Sequence, residues 1–479
     1  MCACRQVSPP YSSTDRPPMP VTPSCPTHPE LTNTCRCQVT SIDELPDEVL
    51  LEIFDFCVDE DAFEKEDVEA WQPLVHVCQR WRSVVFGSPR RLNLRLVCKP
   101  GTPVRDKLDV WPPLPLVIRG RIFLTDPNDN LITILKRRDR VCQINLHGVD
   151  LPLGKAMATM QEPFPELTEL VLGSYLVTAR GLPDSFLGGS APRLRILNLH
   201  GIPFPGLPKL LLSATHLVDL RLSKIPHSGY TSPEALIAAL STLTSLRSLI
   251  LIFQSSPDQA IRHPPPTRSL LPVLNTLALE GGTEYLDNLV ARIDAPRLND
   301  LEIIFFNQNA LDTVDTPQFT QFISRTPMLE ALEKAYVAFQ VDCAGVNLSS
   351  QTSGHKELKV KIPCRELNRQ VSSLKWFCTL HLPLSTSEDL YIYRNMDLQP
   401  DWEDHVENIL WLELLHLFTG VKNLCLSKDI VPHIGPALQE LVGGSMMEVL
   451  PIVQNISLEA PGIRPGEPVL EGIEEFIAA

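Results

Sequence analysis

The sequence predicts an α/β chain, in which a short all-helical segment leads into a long array of parallel strands with helices or irregular segments outside. Three observations predict it. The pattern L-x-x-L-x-L returns six times between residues 167 and 303. Ahead of it, two segments between Pro46 and Gly87 carry apolar residues at helical spacing. Between Pro9 and Pro29 there are eight prolines, in a stretch with few aliphatic residues.

Composition bounds the classes of function. Of 479 residues, 44% are hydrophobic and 21% charged, close to ordinary globular values, so global disorder is excluded. No run of 18 apolar residues is present, so no membrane span is expected. The first residues lack an apolar signal region, so the chain reads as cytoplasmic or nuclear and not secreted. The thirteen cysteines are then expected to stay reduced. Cys57, Cys78 and Cys142 sit inside apolar patterns, where a thiol serves as a small hydrophobe. The net charge of -15 argues against nonspecific nucleic-acid binding. It is unevenly placed: residues 43–70 hold thirteen acids against Lys65, and residues 80–107 hold eight bases against Asp106. Lys136-Arg137-Arg138 reads as a solvated basic face.

Residues 1–38 read as a mobile tail that cannot bury a core. Its two C-x-C pairs do not match the spacing of structural zinc sites. Residues 41–97 read as a helical module. Pro46 suits a helix start, Asp47 and Glu48 suit its first turn, and Val49, Leu50, Ile53, Phe54, Phe56 and Cys57 form one broad apolar face. After an acidic stretch, Asp59 to Glu69, Pro73 opens a second helix. Its stripe is Trp71, Leu74, Cys78, Trp81 and Val85, stopped at Gly87-Ser88-Pro89. Two such helices are too small to stand alone and must pack on a neighbour or a partner.

The segments LPDEVLLEIFDFCVDE and WQPLVHVCQRWRSVVFGSPRRL resemble an F-box, and the acidic insert between them is similar to that of the large F-box families of mushroom-forming fungi. The matching positions are Leu45, Pro46, Glu48, Ile53, Phe54, Val77, Cys78 and Trp81. The resemblance implies that Leu45, Pro46, Ile53, Phe54, Val77, Cys78 and Trp81 bind a Skp-type adaptor, and through it a cullin–RING ubiquitin ligase.

Residues 92–479 are periodic, and 98–479 read as a repeat domain. The last aliphatics of the six clear units are 172, 199, 222, 251, 279 and 303, with steps of 23 to 29 residues. Weaker units end at Leu96, Ile118 and Leu146 upstream, and at Ile362, Ile392, Leu426 and Leu458 downstream. The unit breaks near Leu329, Leu332 and Glu333, which predicts an irregular C-terminal third. The period falls in the leucine-rich-repeat range, and the zone resembles the leucine-rich-repeat half of F-box proteins. SPEALIAALSTL at 232–243 reads as a helix capped by Ser232 with Pro233 at its first position. Alternation along each strand puts Leu inward and its neighbours outward. Outward residues Asn198, Asp219, Arg221, Asp300 and Glu302 are candidate substrate-reading positions, and their mixed charge favours a protein surface as ligand.

Phosphate-loop, nucleophile-elbow and H-E-x-x-H motifs are missing, and no cofactor or metal set is expected. Trp402, Trp411 and Phe418 read as core. The preferred reading is a non-catalytic substrate receptor of a ubiquitin ligase, whose repeats bind an unknown target protein. The alternative is a non-ligase repeat scaffold, in which the helical module only caps the array.

Overall fold

The computed structural model describes residues 42–58, 70–101, 103–123, 128–175, 181–183, 185–203, 207–229, 231–254, 268–306, 316–329, 332–350, 356–382, 384–394, 406–440 and 449–459. The expectations for the tail, the acidic insert and Trp402 lie outside them. The chain opens with helices α1 (Asp47–Cys57), α2 (Gln72–Val77) and α3 (Gln79–Gly87). Strands β1 (Leu96–Cys98), β2 (Leu116–Ile122), β3 (Val141–Gly148), β4 (Glu169–Ser174), β5 (Ile196–His200), β6 (Asp219–Ile225) and β7 (Ser248–Phe253) follow. Interleaved with them are α4 (Arg105–Val110), α5 (Asn128–Leu135), α6 (Asp150–Thr159), α7 (Leu207–Ser213) and α8 (Pro233–Leu240). Then come β8 (Ser269–Leu270), β9 (Thr276–Gly281), α9 (Thr283–Val290), β10 (Ile293–Asp294), β11 (Asp300–Phe305) and α10 (Pro317–Ser324). The last part comprises β12 (Lys334–Phe339), β13 (Cys343–Ser350), β14 (Lys356–Pro363), α11 (Leu367–His381), β15 (Asp389–Arg394), α12 (Asn408–Leu415), β16 (Asn423–Ser427), α13 (Val431–Glu440) and β17 (Asn455–Glu459).

Fifteen strands form one sheet, in the order β1-β2-β3-β4-β5-β6-β7-β9-β11-β14-β13-β12-β15-β16-β17. All neighbouring pairs are parallel except β12–β13 and β13–β14. The leucines of the repeated unit face each other rung by rung: Leu170, Leu197, Leu220, Leu249, Leu277 and Leu301 are paired in register across β4 to β11. All six have no exposed surface. Their strands bury alternate residues, because successive side chains leave opposite faces. The helices cover the buried face and pack on each other in sequence, α7 on α8, α8 on α9, and onward to α13.

The two-residue gap inside L-x-x-L has a structural cause. At the starts of β5, β6, β7, β9 and β11 two successive amides share one carbonyl of the preceding unit. Arg195 and Ile196 both donate to Thr168 O, at 2.8 and 3.1 Å. Val218 and Asp219 do so to Arg195 O, Arg247 and Ser248 to Val218 O, and Asn275 and Thr276 to Arg247 O. The fork satisfies the extra donor where the chain leaves the turn and enters the ladder. It recurs at Glu333, Glu388 and Lys422, so the same joint builds the C-terminal strands.

Three expectations are corrected. The second predicted helix is two helices: Cys78 is extended, with φ -155 and ψ 171, and its Sγ accepts a hydrogen bond from Trp81 N at 3.4 Å as the cap of α3. The break near Leu332 is one of strand order, which turns to β14-β13-β12 past β11 and makes the C-terminal third irregular as expected, while the repeated unit itself continues. β12 begins one residue past Glu333 and carries Ala335 and Val337 where other units carry Leu, in register with Leu390 and Ile392 of β15. Small residues hid a unit whose backbone is regular. The sheet is also not wholly parallel, since β13 runs backwards between β12 and β14. The other readings of core stand: Trp411 and Phe418 are buried, and Ser232 Oγ caps α8 by accepting from Ala235 N at 3.3 Å.

Candidate functional site

Two surfaces carry the residues singled out in the sequence. The first lies on the helical module. α1 shows two apolar stripes rather than one broad face. Leu50, Phe54 and Val58 turn inward and are buried, while Val49, Ile53 and Phe56 step by four and three along the outside, with Phe56 87% exposed. Val77, at the end of α2, is 59% exposed. Glu48, Glu52 and Asp55 flank the outer stripe and are exposed. An apolar band in an acidic frame is the kind of surface that a partner covers.

The inner stripe explains why the module holds together. Phe54 lies against Trp81 with ring centroids 4.7 Å apart. Arg80 clamps the start of α1 to α3: its guanidinium donates to Leu45 O at 2.5 Å and to Asp47 Oδ1 at 2.6 Å. Arg82 Nε donates to Val75 O at 3.0 Å, which satisfies a carbonyl at the interrupted end of α2. Trp71 ties the module to the sheet: its indole N–H donates to Arg95 O at 3.0 Å and its ring meets Trp111 at 5.1 Å. Of the seven residues singled out here, Pro46, Ile53 and Val77 are exposed, Leu45, Cys78 and Trp81 are half-buried, and Phe54 is wholly interior. Phe54 therefore acts through the packing of α1 and offers no surface to a partner. Val49 and Phe56 supply outer surface that the sequence reading gathered with Leu50 and Phe54 into one broad apolar face. Cys57, read as a small hydrophobe, is exposed.

The second surface is the open face of the sheet. Asn198, Asp219 and Arg221 sit on neighbouring strands, with Asn198 opposite Arg221. Asp300 and Glu302 lie three strands away on β11, so the five residues form two groups. Between them β7 and β9 present Ile250, Ile252, Thr276 and Ala278, all half-buried. The sequence reading missed what stands beyond β11. β14 brings Lys359 and Lys361 there, and Lys361 Nζ pairs with Glu302 at 3.0 Å while Lys359 pairs with Glu357 at 2.6 Å. Two strands further, Tyr336 and Tyr391 stack at 4.7 Å, 11° from parallel. The alternating lysines of LKVKI were the only signal for this; their place beside Glu302 depends on the antiparallel β13.

Nearer the start of the sheet, the His147 imidazole lies across Gly173, and His200 Nδ1 shares a 2.9 Å hydrogen bond with Ser223 Oγ. Burial lowers the pKa of both histidines, with a further push from Arg121 on His147 and from Lys224 on His200. Burial raises that of Glu280 on β9, against the opposing pull of Lys361. Among the described residues there is no group of three or more His, Cys, Asp or Glu placed to hold a metal ion, and no helix long and apolar enough to cross a membrane. No family model matches the chain. No curated protein matches it either.

Proposed function

We propose that the chain is a non-catalytic substrate-recognition subunit of a Skp–cullin–F-box-type ubiquitin ligase, with a leucine-rich-repeat-like sheet that holds the target protein. The observation that carries this is the outer stripe of Val49, Ile53 and Phe56 beside Val77, in a module whose own core is already filled by Leu50, Phe54 and Trp81. These groups keep apolar surface exposed outside the module's own core and are the natural seat of a Skp-type adaptor, together with Leu45 and Pro46. Ubiquitin transfer in such an assembly rests on proximity, the bound target being held near a charged carrier. The sheet supports the second half of the reading. A helix about 10 Å wide accompanies strands spaced about 4.8 Å, so the helix side is the longer side and the open face becomes concave.

The test is recovery of a purified Skp-type adaptor by the full chain. Ile53→Ala with Val77→Ala removes two exposed anchors and leaves the core intact. Anchor truncations cost about 2 kcal/mol or more, so adaptor affinity should drop at least roughly 30-fold with an unchanged melting temperature. Unchanged recovery by the folded double variant would sink the ligase reading. It would favour the cap reading, which has its own support in the hydrogen bond from Trp71 to the segment entering β1 and in an apolar core continuous from Leu50 to the sheet.

A further inference from the structure

A groove of about 760 Å³ runs along the edge where β4 to β9 begin. It lies neither on the module nor on the open face. The forked joints described above set its rim: Thr168, Arg195, Val218 and Arg247 are successive rungs of one hydrogen-bond ladder. Arg195 and Arg247 thus stand two strand spacings apart, roughly 10 Å at the backbone, with Val218 between them. One turn outward, Arg193, His216 and Ser245 complete the wall. Among the described residues no carboxylate lines the groove.

The arginines of this edge fall into two kinds. Some serve the fold. Arg140, just before β3, folds back and gives two hydrogen bonds to Leu114 O, at 3.0 and 2.9 Å. Arg193 pairs with Glu166 at the rim. Arg195 and Arg247 are exposed, and among the described residues neither side chain has a hydrogen-bond or ion-pair partner. Two guanidinium forks therefore flank a small apolar floor. A carboxylate is satisfied by one fork, whereas a phosphoryl group offers three oxygens and a double charge, enough to bridge two forks and nearby hydroxyls.

We propose that this groove is a phosphoryl-binding site, in which one phosphoryl group sits over Val218 between Arg195 and Arg247. The group would come either from a phosphorylated small molecule or from a phosphorylated side chain of a protein ligand. The site goes beyond the ligase reading and does not depend on it, because anion binding needs no adaptor.

The experiment is calorimetric titration of the full chain with three probes: sodium tripolyphosphate, a phosphoserine peptide and its unphosphorylated twin. At least one phosphorylated probe should bind saturably, and the unphosphorylated peptide should not. Arg195→Gln and Arg247→Gln should each weaken binding about tenfold, and the pair should abolish it, since each removes a charge-assisted fork. Arg297→Gln is the control: it is an exposed arginine one unit beyond the groove and should change nothing. Binding of tripolyphosphate alone assigns a small molecule, and binding of the phosphopeptide alone assigns a protein side chain; either supports the site. Absence of saturable binding to both, or equal loss in Arg297→Gln, overturns it. Because all three side chains are exposed, the variants should keep the wild-type melting temperature, and a melt on each sample verifies that the protein titrated is folded.

Discussion

Leu220→Ala tests the claim that one strand carries core on one side and a reading surface on the other. Leu220 has no exposed surface and sits in register between Leu197 and Leu249. The substitution removes three carbon atoms, a transfer loss of about 2.4 kcal/mol at roughly 0.8 kcal/mol each. The neighbouring backbones are fixed by parallel ladders on both sides, so the void stays largely open, and a cavity cost brings the total to roughly 3–5 kcal/mol. Its neighbours point the other way. Arg221 is exposed, and Asp219 has a buried Oδ1 with no hydrogen-bond partner, so Ala at either position should stay within about 0.5 kcal/mol. At about 2.1 cal/mol/K of unfolding entropy per residue, a chain of 479 residues loses roughly 1 °C per kcal/mol, so thermal melts followed by circular dichroism should show a drop on the order of 3–5 °C for Leu220→Ala and almost none for the others. Target capture should respond in the opposite order, if the open face reads the substrate. Equal loss of stability at all three positions would refute the reasoning, because it would mean that β6 is buried on both faces.

Two further perturbations follow from the same geometry. His147 and His200 have folded pKa values below the unfolded value of 6.5, so the unfolded chain binds more protons and stability should be lost as pH falls below about 6.5. Glu280 has the opposite sign, since its raised pKa favours the protonated, folded form as pH falls. Replacing both histidines by Gln should flatten the loss between pH 7 and 5; a melting curve against pH that keeps its slope in the double variant would count against the assignment. Gly420→Ala and Gly173→Ala separate two kinds of close approach. A Cβ at Gly420 would meet Ser385 O at 2.2 Å, a backbone atom, and should cost roughly 1–3 kcal/mol. At Gly173 it would meet the His147 ring at 2.4 Å, a side chain able to swing away, so its melting temperature should fall less.

The central six strands were legible because L-x-x-L-x-L encodes both the alternation and the forked joint. The helical module was legible only in part. Apolar spacing found α1, yet it merged two stripes, since Val49 and Ile53 have the same chemistry as Leu50 and Phe54 and differ only in what lies opposite them. Cys78 illustrates the same limit: its spacing fits the stripe, but its Sγ serves better as the cap of α3 than as a core atom. The rim arginines went unremarked because Arg195 and Arg247 are 52 residues apart in sequence and are brought to one edge only by the ladder through Val218.

β13 is the case where pattern reading had nothing to hold. The strand needs only Ala344, Val346 and Leu348 to fill its share of the core, and Ala and Val in alternation resemble many loops. Its consequence is nevertheless large. A chain that added one parallel strand per unit would put β12 beside β11; here β14 takes that place and β12 is displaced by two strands. β14 still runs parallel to β11, and β12 parallel to β15, so the flanking halves keep one direction. The return from β14 to β15 then has to cross back over the inserted strands. α11 spans Leu367–His381, fifteen residues or about 22 Å at 1.5 Å each, and packs on β13 and β14 as it crosses. Its buried Gln370 donates to Gln340 O and Cys364 O, both at 2.7 Å, tying the turn after β12 to the end of β14. The inserted strand is therefore held by the same helix that closes the gap it creates, and it sets Lys361 against Glu302 on the open face.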